Sequence, residues 1–413
     1  MAAGKSGHRI SVGVSATLAL VIIVIIVGTV LRFGYLLHYQ TQFQIEMAAY
    51  ESNAIFRGRS GSFDWTLRLG PLPRLLQSTV LMLSGERILP TALLEAILAT
   101  GICVPVFLLS KQLYPAAPGS GLTAVVVYAF HPQAIVYCCF FLDHQTATAL
   151  AAIAFVLLAQ TWTPTSSRWR TALCGGTLGL LGLSRVIMSA IVTPLVSRMA
   201  LCAKVGRPVL LHTALFALVA IGFVAPWVYR QSRATGGLVP VSSGGGVTLL
   251  WGTLLDYSKP RYLLQPDILR IVDEMRARYG IEMIAAGPRD DAQAARLALA
   301  RIWTQPRRWL TGVFYKMGAF WYSDHTPRRT WLNLVVNVPL LILGAVGAVA
   351  RYARREGVAF VITALLAADL AHAVFHSMAQ YSTPLLPLLC ALASGPLAAI
   401  ARQAKHWFVA ARD

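Results

Sequence analysis

The chain has 413 residues, 56% of them hydrophobic and only 13% charged, with a formal net charge of +19. Soluble globular domains are about 25% charged, so this composition, with its apolar residues gathered in long blocks, excludes that class. The positive charge does not point to nucleic acid, because many basic residues fall in short connections between apolar blocks, where membrane topology accounts for them.

Crossing a bilayer takes about 20 mostly apolar residues. In chain order the candidate spans are 11–32, 90–110, 119–140, 145–162, 170–184, 186–203, 208–228, 331–350, 357–376 and 383–401; those at 119–140, 170–184 and 186–203 are short or interrupted. The predicted fold is an all-α polytopic bundle of about ten transmembrane helices. Lys5 and Arg9 precede the first span. Counting alternately, the same side receives Lys111, Arg168, Arg170, Lys204, Arg207, Arg351, Arg354, Arg355, Arg402 and Lys405. Short basic loops face the cytoplasm, which puts both termini inside an inner (plasma) membrane. Two long segments, 33–89 and 229–330, are then expected on the outer, periplasmic or extracellular face. The first span lacks a small-residue cleavage site and reads as an uncleaved anchor. The whole of 1–413 reads as one integrated membrane domain. Cys103, Cys138, Cys139, Cys174, Cys202 and Cys390 lie in or beside apolar blocks without metal-ligand or disulfide-framework spacing, and read as small packing residues.

The first outer segment opens with TQFQIEMAAYESNAIFRG, a helix expected to lie along the membrane surface. Gly and Pro break it in GRSGSFDWTLRLGPLP, and RLLQSTVLMLSG resumes as a helix too short to span. Glu46 stands on the surface helix between apolar neighbours. It is either a general base toward a hydroxyl or amine, or an acid that is solvated or paired with a nearby Arg. Asp143, behind Phe140, Phe141 and Leu142 at the outer end of a membrane hairpin, is a functional acid, a helix cap, or both; the neighbouring His144 reads as an interfacial polar residue. Arg57, Arg74, Arg185 and Arg230 either snorkel to the interface or contact phosphate, for which the guanidinium fork is well shaped.

The second outer segment contains helix-forming stretches at PDILRIVDEMRARYG and 290–304, the latter stopped by Pro306, then an aromatic amphipathic helix. Trp303, Trp309, Trp321 and Tyr322 suit an interfacial belt. Ahead of these, Ser242-Ser243-Gly244-Gly245-Gly246 forms either a backbone nest for an anion or a flexible loop. No Gly-Lys-Ser/Thr follows it and no dinucleotide fingerprint occurs anywhere, so a nucleotide site has no support.

Together these stretches resemble the GT-C fold integral-membrane glycosyltransferases of the dolichyl-phosphate-mannose–protein mannosyltransferase group, which includes the bacterial lipid A aminoarabinose transferases. The resemblance is carried by Pro226, Trp227, Arg230, Val239, Pro240, Ser242, Gly245, Gly246 and Leu249. Glu46 four before Tyr50, Gly70-Pro71-Leu72-Pro73, Leu142-Asp143 and Tyr381-Ser382-Thr383-Pro384 add to it in the same order. Gln231, Ser243-Gly244 and Gln380 depart from the family pattern. The resemblance implies a polyprenyl-phosphate-linked sugar as donor, its lipid lying in the bilayer. It implies Glu46 as catalytic base, Asp143 as a second acid, and Arg230, Arg74, Arg185 and Arg57 as ligands of the departing phosphate. Tyr50, Ser242, Ser243 and Tyr381 would line the substrate cavity. The acceptor is left open among protein hydroxyls, lipid phosphate and envelope glycan. No cofactor is implied with certainty; two close carboxylates could hold a divalent cation, but the first outer loop has no D-x-D. The rival reading is a transporter or lipid flippase, against which stand few paired ionisable residues in the spans and no inverted repeat.

Overall fold

A computed structural model of the chain describes residues 6–38, 70–84, 88–139, 144–161, 167–192, 207–239, 241–242, 244–255, 265–281, 288–324, 326–352 and 356–410. Among the described residues there is no strand. The helices, in order, are α1 (Ser6–His38), α2 (Pro71–Leu83), α3 (Ile88–Gly101), α4 (Cys103–Leu113), α5 (Ser120–Ala129), α6 (Pro132–Val136), α7 (His144–Thr161) and α8 (Arg168–Ser184). They continue with α9 (Arg207–Thr235), α10 (Gly245–Leu254), α11 (Gln265–Tyr279), α12 (Pro288–Thr304), α13 (Pro306–Tyr322), α14 (Pro327–Tyr352), α15 (Glu356–Val374) and α16 (Leu386–Ala410). Short 3-10 segments cover Tyr137–Cys139, Val186–Val192 and Ala379–Leu385.

Five described stretches are long and apolar enough to cross a membrane: Ala16–His38, Ala92–Leu113, Leu211–Arg233, Pro327–Ala350 and Ala379–Trp407. Shorter apolar helices occupy Ser120–Ala129, His144–Leu158, Gly245–Leu254 and Ile362–Val374. The run at 119–140 is not one continuous helix. Proline disfavours the helical conformation in the residue before it, and His131, before Pro132, is extended at φ −65° and ψ 121°. The run at 186–203 begins as the 3-10 segment Val186–Val192; its remainder lies outside the described residues.

Two apolar cores organise the molecule. The larger draws Val106 and Leu109 of α4, Val125 and Tyr128 of α5, Phe155 of α7, Leu178 of α8 and Leu389 of α16 into one cluster. Helices α8 and α9 approach closely because Gly175 and Gly179 present only hydrogen where a Cβ would lie 2.6 Å from the Phe216 carbonyl and 2.8 Å from that of Ala220; small residues at such seams let backbones pack in membranes. Along α9, Leu218 and Ile221 stay exposed, as side chains facing lipid do. The smaller core belongs to the second outer segment. Val247, Leu250, Trp251 and Leu254 of α10 pack with Ile271 and Met275 of α11, and with Ala294 and Ala298 of α12. The described part of 229–330 is thus mainly helical and packed around this second core. Tyr381 packs against both cores.

Candidate active site

The junction of the two cores gathers most of the polar chemistry among the described residues. Arg185 caps the C-terminus of α8 in an extended conformation, its N–H donating to the Leu181 carbonyl. This geometry ends the helix and throws the side chain toward the 3-10 segment. The Arg185 guanidinium lies 4.9 Å from the centre of the Tyr381 ring, within range of a cation–π interaction. Its Nη1 donates to His144 Nδ1 at 3.2 Å; a guanidinium has only donors, so that imidazole nitrogen is the acceptor.

Around Tyr381 the rings form a chain. His372 stacks on it at 5.5 Å and 25°, and His376 meets it edge-on at 5.7 Å. His376 stacks in turn on Trp251 of α10 at 4.1 Å. The His372 ring also lies against Phe320 of α13. The chain joins the end of α15, the 3-10 segment and the outer layer into one wall.

Beneath this wall a polar network fixes the 3-10 segment. The Gln133 amide donates to the Ala379 carbonyl, to Ser382 Oγ at 3.0 Å and to Thr383 Oγ1 at 3.1 Å. Its carbonyl accepts from Asn337 at 2.9 Å, and Asn337 also donates to the Trp321 carbonyl. Both residues are buried, and these bonds offset much of the cost of burying their amides. Two carboxylates lie close by. Asp324, after α13, accepts from Tyr137 Oη at 2.7 Å, and Asp369 in α15 accepts from Trp321 Nε1 at 3.0 Å. Lys316 of α13 is fully buried and donates to the Phe375 carbonyl at 3.2 Å and more weakly to that of Val374. Burial pushes its ammonium down to about 7.

Two glycines let backbone reach this region. A Cβ at Gly70, the first residue of Gly70-Pro71-Leu72-Pro73, would collide with the carbonyls of Leu183 and Ser184. The end of the first outer segment is thereby seated beside Arg185. A Cβ at Gly252 would collide with the Phe375 carbonyl, so α10 lies directly on the turn that carries His376.

Of the residues singled out in the sequence, Arg185 and Tyr381 are brought together. Arg230 lies on the exposed face of α9, its guanidinium 5.9 Å from the Trp227 ring. Ser242 is half-buried in the turn before α10. Arg74 falls in α2, with its side chain outside the description. Glu46, Tyr50, Arg57, Asp143 and Ser243 lie outside the described residues. His144, read from the sequence as an interfacial polar residue, is buried and partners Arg185; His372, His376, Asp324, Asp369 and Lys316 emerge only from the structure. The signal available for them was ionisable residues at the ends of apolar runs, as in AADLAHAVFHS. Another buried cation, Arg32 of α1, serves the scaffold: it donates to the Ala129 and Tyr128 carbonyls at 2.9 and 3.3 Å, closing the end of α5. Among the described residues no three His, Cys, Asp or Glu side chains converge as metal ligands would.

No family model matches the chain, and no curated protein matches it in sequence. Solved structures do match it. The oligosaccharyltransferase of Archaeoglobus fulgidus in its apo form superposes over 91% of this chain and 50% of its own, at 15% identity and a TM-score of 0.53. The same protein, AglB, in complex with an inhibitory peptide and a dolichol-phosphate gives 14% identity over the same shares and a TM-score of 0.51. ArnT from Cupriavidus metallidurans bound to undecaprenyl phosphate aligns over 93% of this chain and 78% of its own, at 14% identity and a TM-score of 0.41, too low to establish a shared fold. The chain spans about half the length of the archaeal oligosaccharyltransferase. What the two archaeal matches establish is a shared fold: most of the chain is arranged as in part of that oligosaccharyltransferase.

Proposed function

We propose that the chain is a membrane glycosyltransferase that moves a sugar from a polyprenyl-phosphate donor to an acceptor on the outer face of the membrane. The observation that carries this reading is the half-buried Arg185, held over Tyr381 and against His144 at the junction of the two cores. The shared fold with the archaeal oligosaccharyltransferase supports it.

In this reading the carboxylate of Glu46 takes the proton from an acceptor hydroxyl or amine. The acceptor's lone pair attacks the anomeric carbon, and the bond from that carbon to the phosphate oxygen breaks. The electron pair leaves with the polyprenyl phosphate, whose charge grows in the transition state. A fixed guanidinium in a water-poor site stabilises such charge far better than one in bulk water. Arg185 is the cation best placed by burial, with Arg230 and Arg74 as further phosphate ligands at the headgroup level. Asp143 assists the base or orients the acceptor. Tyr50, Tyr381, Ser242 and Ser243 line the substrate cavity, and Arg57 adds positive charge near it. The shorter apolar helices add to the five long spans to make a bundle of about ten, with both termini cytoplasmic.

The test is mass spectrometry of envelope lipids and glycans from cells with and without the chain, and from cells carrying Glu46→Gln. A transferase adds one glycosyl mass to a lipid, protein or glycan in the wild type alone. Glu46→Gln should abolish that product at unchanged protein level. An unmodified envelope in all strains would favour a transporter or flippase, and a fully active Glu46→Gln protein would remove Glu46 as the base.

A further inference from the structure

A cavity of about 220 Å³ opens between α10, α12 and α13. Its walls include Thr253 of α10, Arg301 of α12, and Arg308, Trp309, Tyr315 and Lys316 of α13. Arg301 and Arg308 come from opposite sides of the corner where α12 stops at Thr304 and α13 starts at Pro306. That corner turns two guanidinium groups toward one opening. Among the described residues, no carboxylate lies in the lining. Arg301 Nε and Trp309 Nε1 are buried with no hydrogen-bond partner among the described residues. Among the described residues, Arg308 makes a long donation to Gln305 Oε1 at 3.5 Å. Guanidinium, ammonium and indole N–H groups donate and do not accept. A lining with two guanidinium groups, an ammonium and buried unpaired N–H donors, and no described carboxylate, is completed by a ligand rich in acceptors and negative charge, and the guanidinium fork fits phosphate oxygens best.

The surroundings indicate how that phosphate is carried. Trp303, Leu310 and Phe314, on the same two helices, are 81%, 51% and 67% exposed. Apolar and aromatic groups on amphipathic helices bury themselves at the level of lipid headgroups. The cavity is also smaller than the roughly 300–1,000 Å³ typical of small-molecule pockets, so it suits a headgroup whose acyl chains stay outside. We infer that this cavity is a second anion site, separate from Arg185, that holds the phosphate of an anionic lipid headgroup. The Trp251–His376 stack stands between the two: the cavity touches Gly252 and Thr253, whereas the Arg185 site is built on Tyr381. The inference does not rest on glycosyl transfer, and its test does not measure it. A bound phosphate would also favour the charged form of Lys316, which burial otherwise opposes.

Native mass spectrometry of the full chain in detergent, titrated with dioleoylphosphatidylglycerol, dioleoylphosphatidylcholine or inorganic phosphate, tests it. The expected result is a saturable phosphatidylglycerol adduct, with phosphatidylcholine weaker because its choline ammonium meets two guanidinium groups. The Arg301→Gln/Arg308→Gln pair should weaken the adduct at least about tenfold, the loss of two charge-assisted contacts. Arg301→Lys/Arg308→Lys, which keeps the charge without the fork, should lose less than the Gln pair, and Arg168→Gln, an exposed basic residue on another helix, should retain the adduct. If the Gln pair does not fold, Arg308→Gln alone, at an exposed side chain, should show a smaller loss in the same direction. Equal binding of both lipids, an unchanged adduct in the Gln variants, or an equal loss in Arg168→Gln overturns the site. Inorganic phosphate binding as tightly as phosphatidylglycerol overturns the assignment to a lipid.

Discussion

Arg185 owes its position to the way α8 ends. The helix stops in an extended residue, so a charged side chain is delivered to the half-buried junction of the two cores. Tyr381 and His144, far away in sequence, are among the groups that give that charge its setting. Arg185→Ala is expected to lower transfer on the order of 100-fold, the usual cost of removing one donor to transition-state charge. Arg185→Lys should keep part of the rate, since it retains charge without the planar fork. Arg230→Ala, at an exposed side chain, should cost less. Initial rates in membranes at matched protein level check this, and an unchanged Arg185→Ala rate would remove it from the phosphate site. Lys316 makes a different prediction. Its ammonium titrates at about 7 in the fold against an ordinary 10.5. Between those values the unfolded chain binds the proton and the folded one does not, so Lys316 costs stability progressively as pH falls from 10.5 toward 7. Thermal melts in detergent should show Lys316→Met gaining on the wild type as pH falls through that window, with no further gain below it. A difference independent of pH would mean that the lysine is charged in the folded protein.

At the scale of elements, the outer helices were legible because amphipathic periodicity and Pro punctuation are local. Pro306 does separate α12 from α13, and the short helix after Gly70-Pro71-Leu72-Pro73 begins at Pro71. The run after the triple glycine was harder to place. Ser242 to Gly246 suggested an anion nest or a flexible loop, yet α10 starts at Gly245 and becomes the centre of the second core. Its Gly252 is required by a carbonyl 123 residues further on, which no local pattern encodes. Gly252→Ala should destabilise the protein by about 1–3 kcal/mol, as overpacking does, and should disturb the Trp251–His376 stack. Chemical denaturation, with Gly237→Ala at an open position as control, checks the effect; equal stability of the two variants would show that the helices separate without cost. The 3-10 segment Ala379–Leu385 was likewise invisible as an element, since its own Ser382–Ala379 bond is joined by donations from the distant Gln133, which Asn337 orients.

For the whole molecule, the basic connections predict sidedness that composition alone would not. In a background with the native cysteines replaced by alanine, Trp303→Cys should react with a membrane-impermeant maleimide added to intact spheroplasts, and Arg168→Cys only after lysis. Labelling of both, or of Arg168→Cys alone, would reverse the orientation. By itself the sequence determined that the chain is helical and membrane-embedded, where most helices begin and end, and that its polar chemistry collects at span ends. These properties follow from hydrophobic blocks, charge placement and proline, each of which acts within one or two helical turns. The family resemblance picked out Arg185 and Tyr381 as separate candidates. Only the tertiary structure decided that they meet, that three histidines and Trp251 surround them, and that Arg301, Arg308 and Trp309 share a cavity. The reason is physical: a cation–π pair, a stacked ring or a satisfied amide joins residues far apart in the chain, and the packing of the two cores sets which of them can touch.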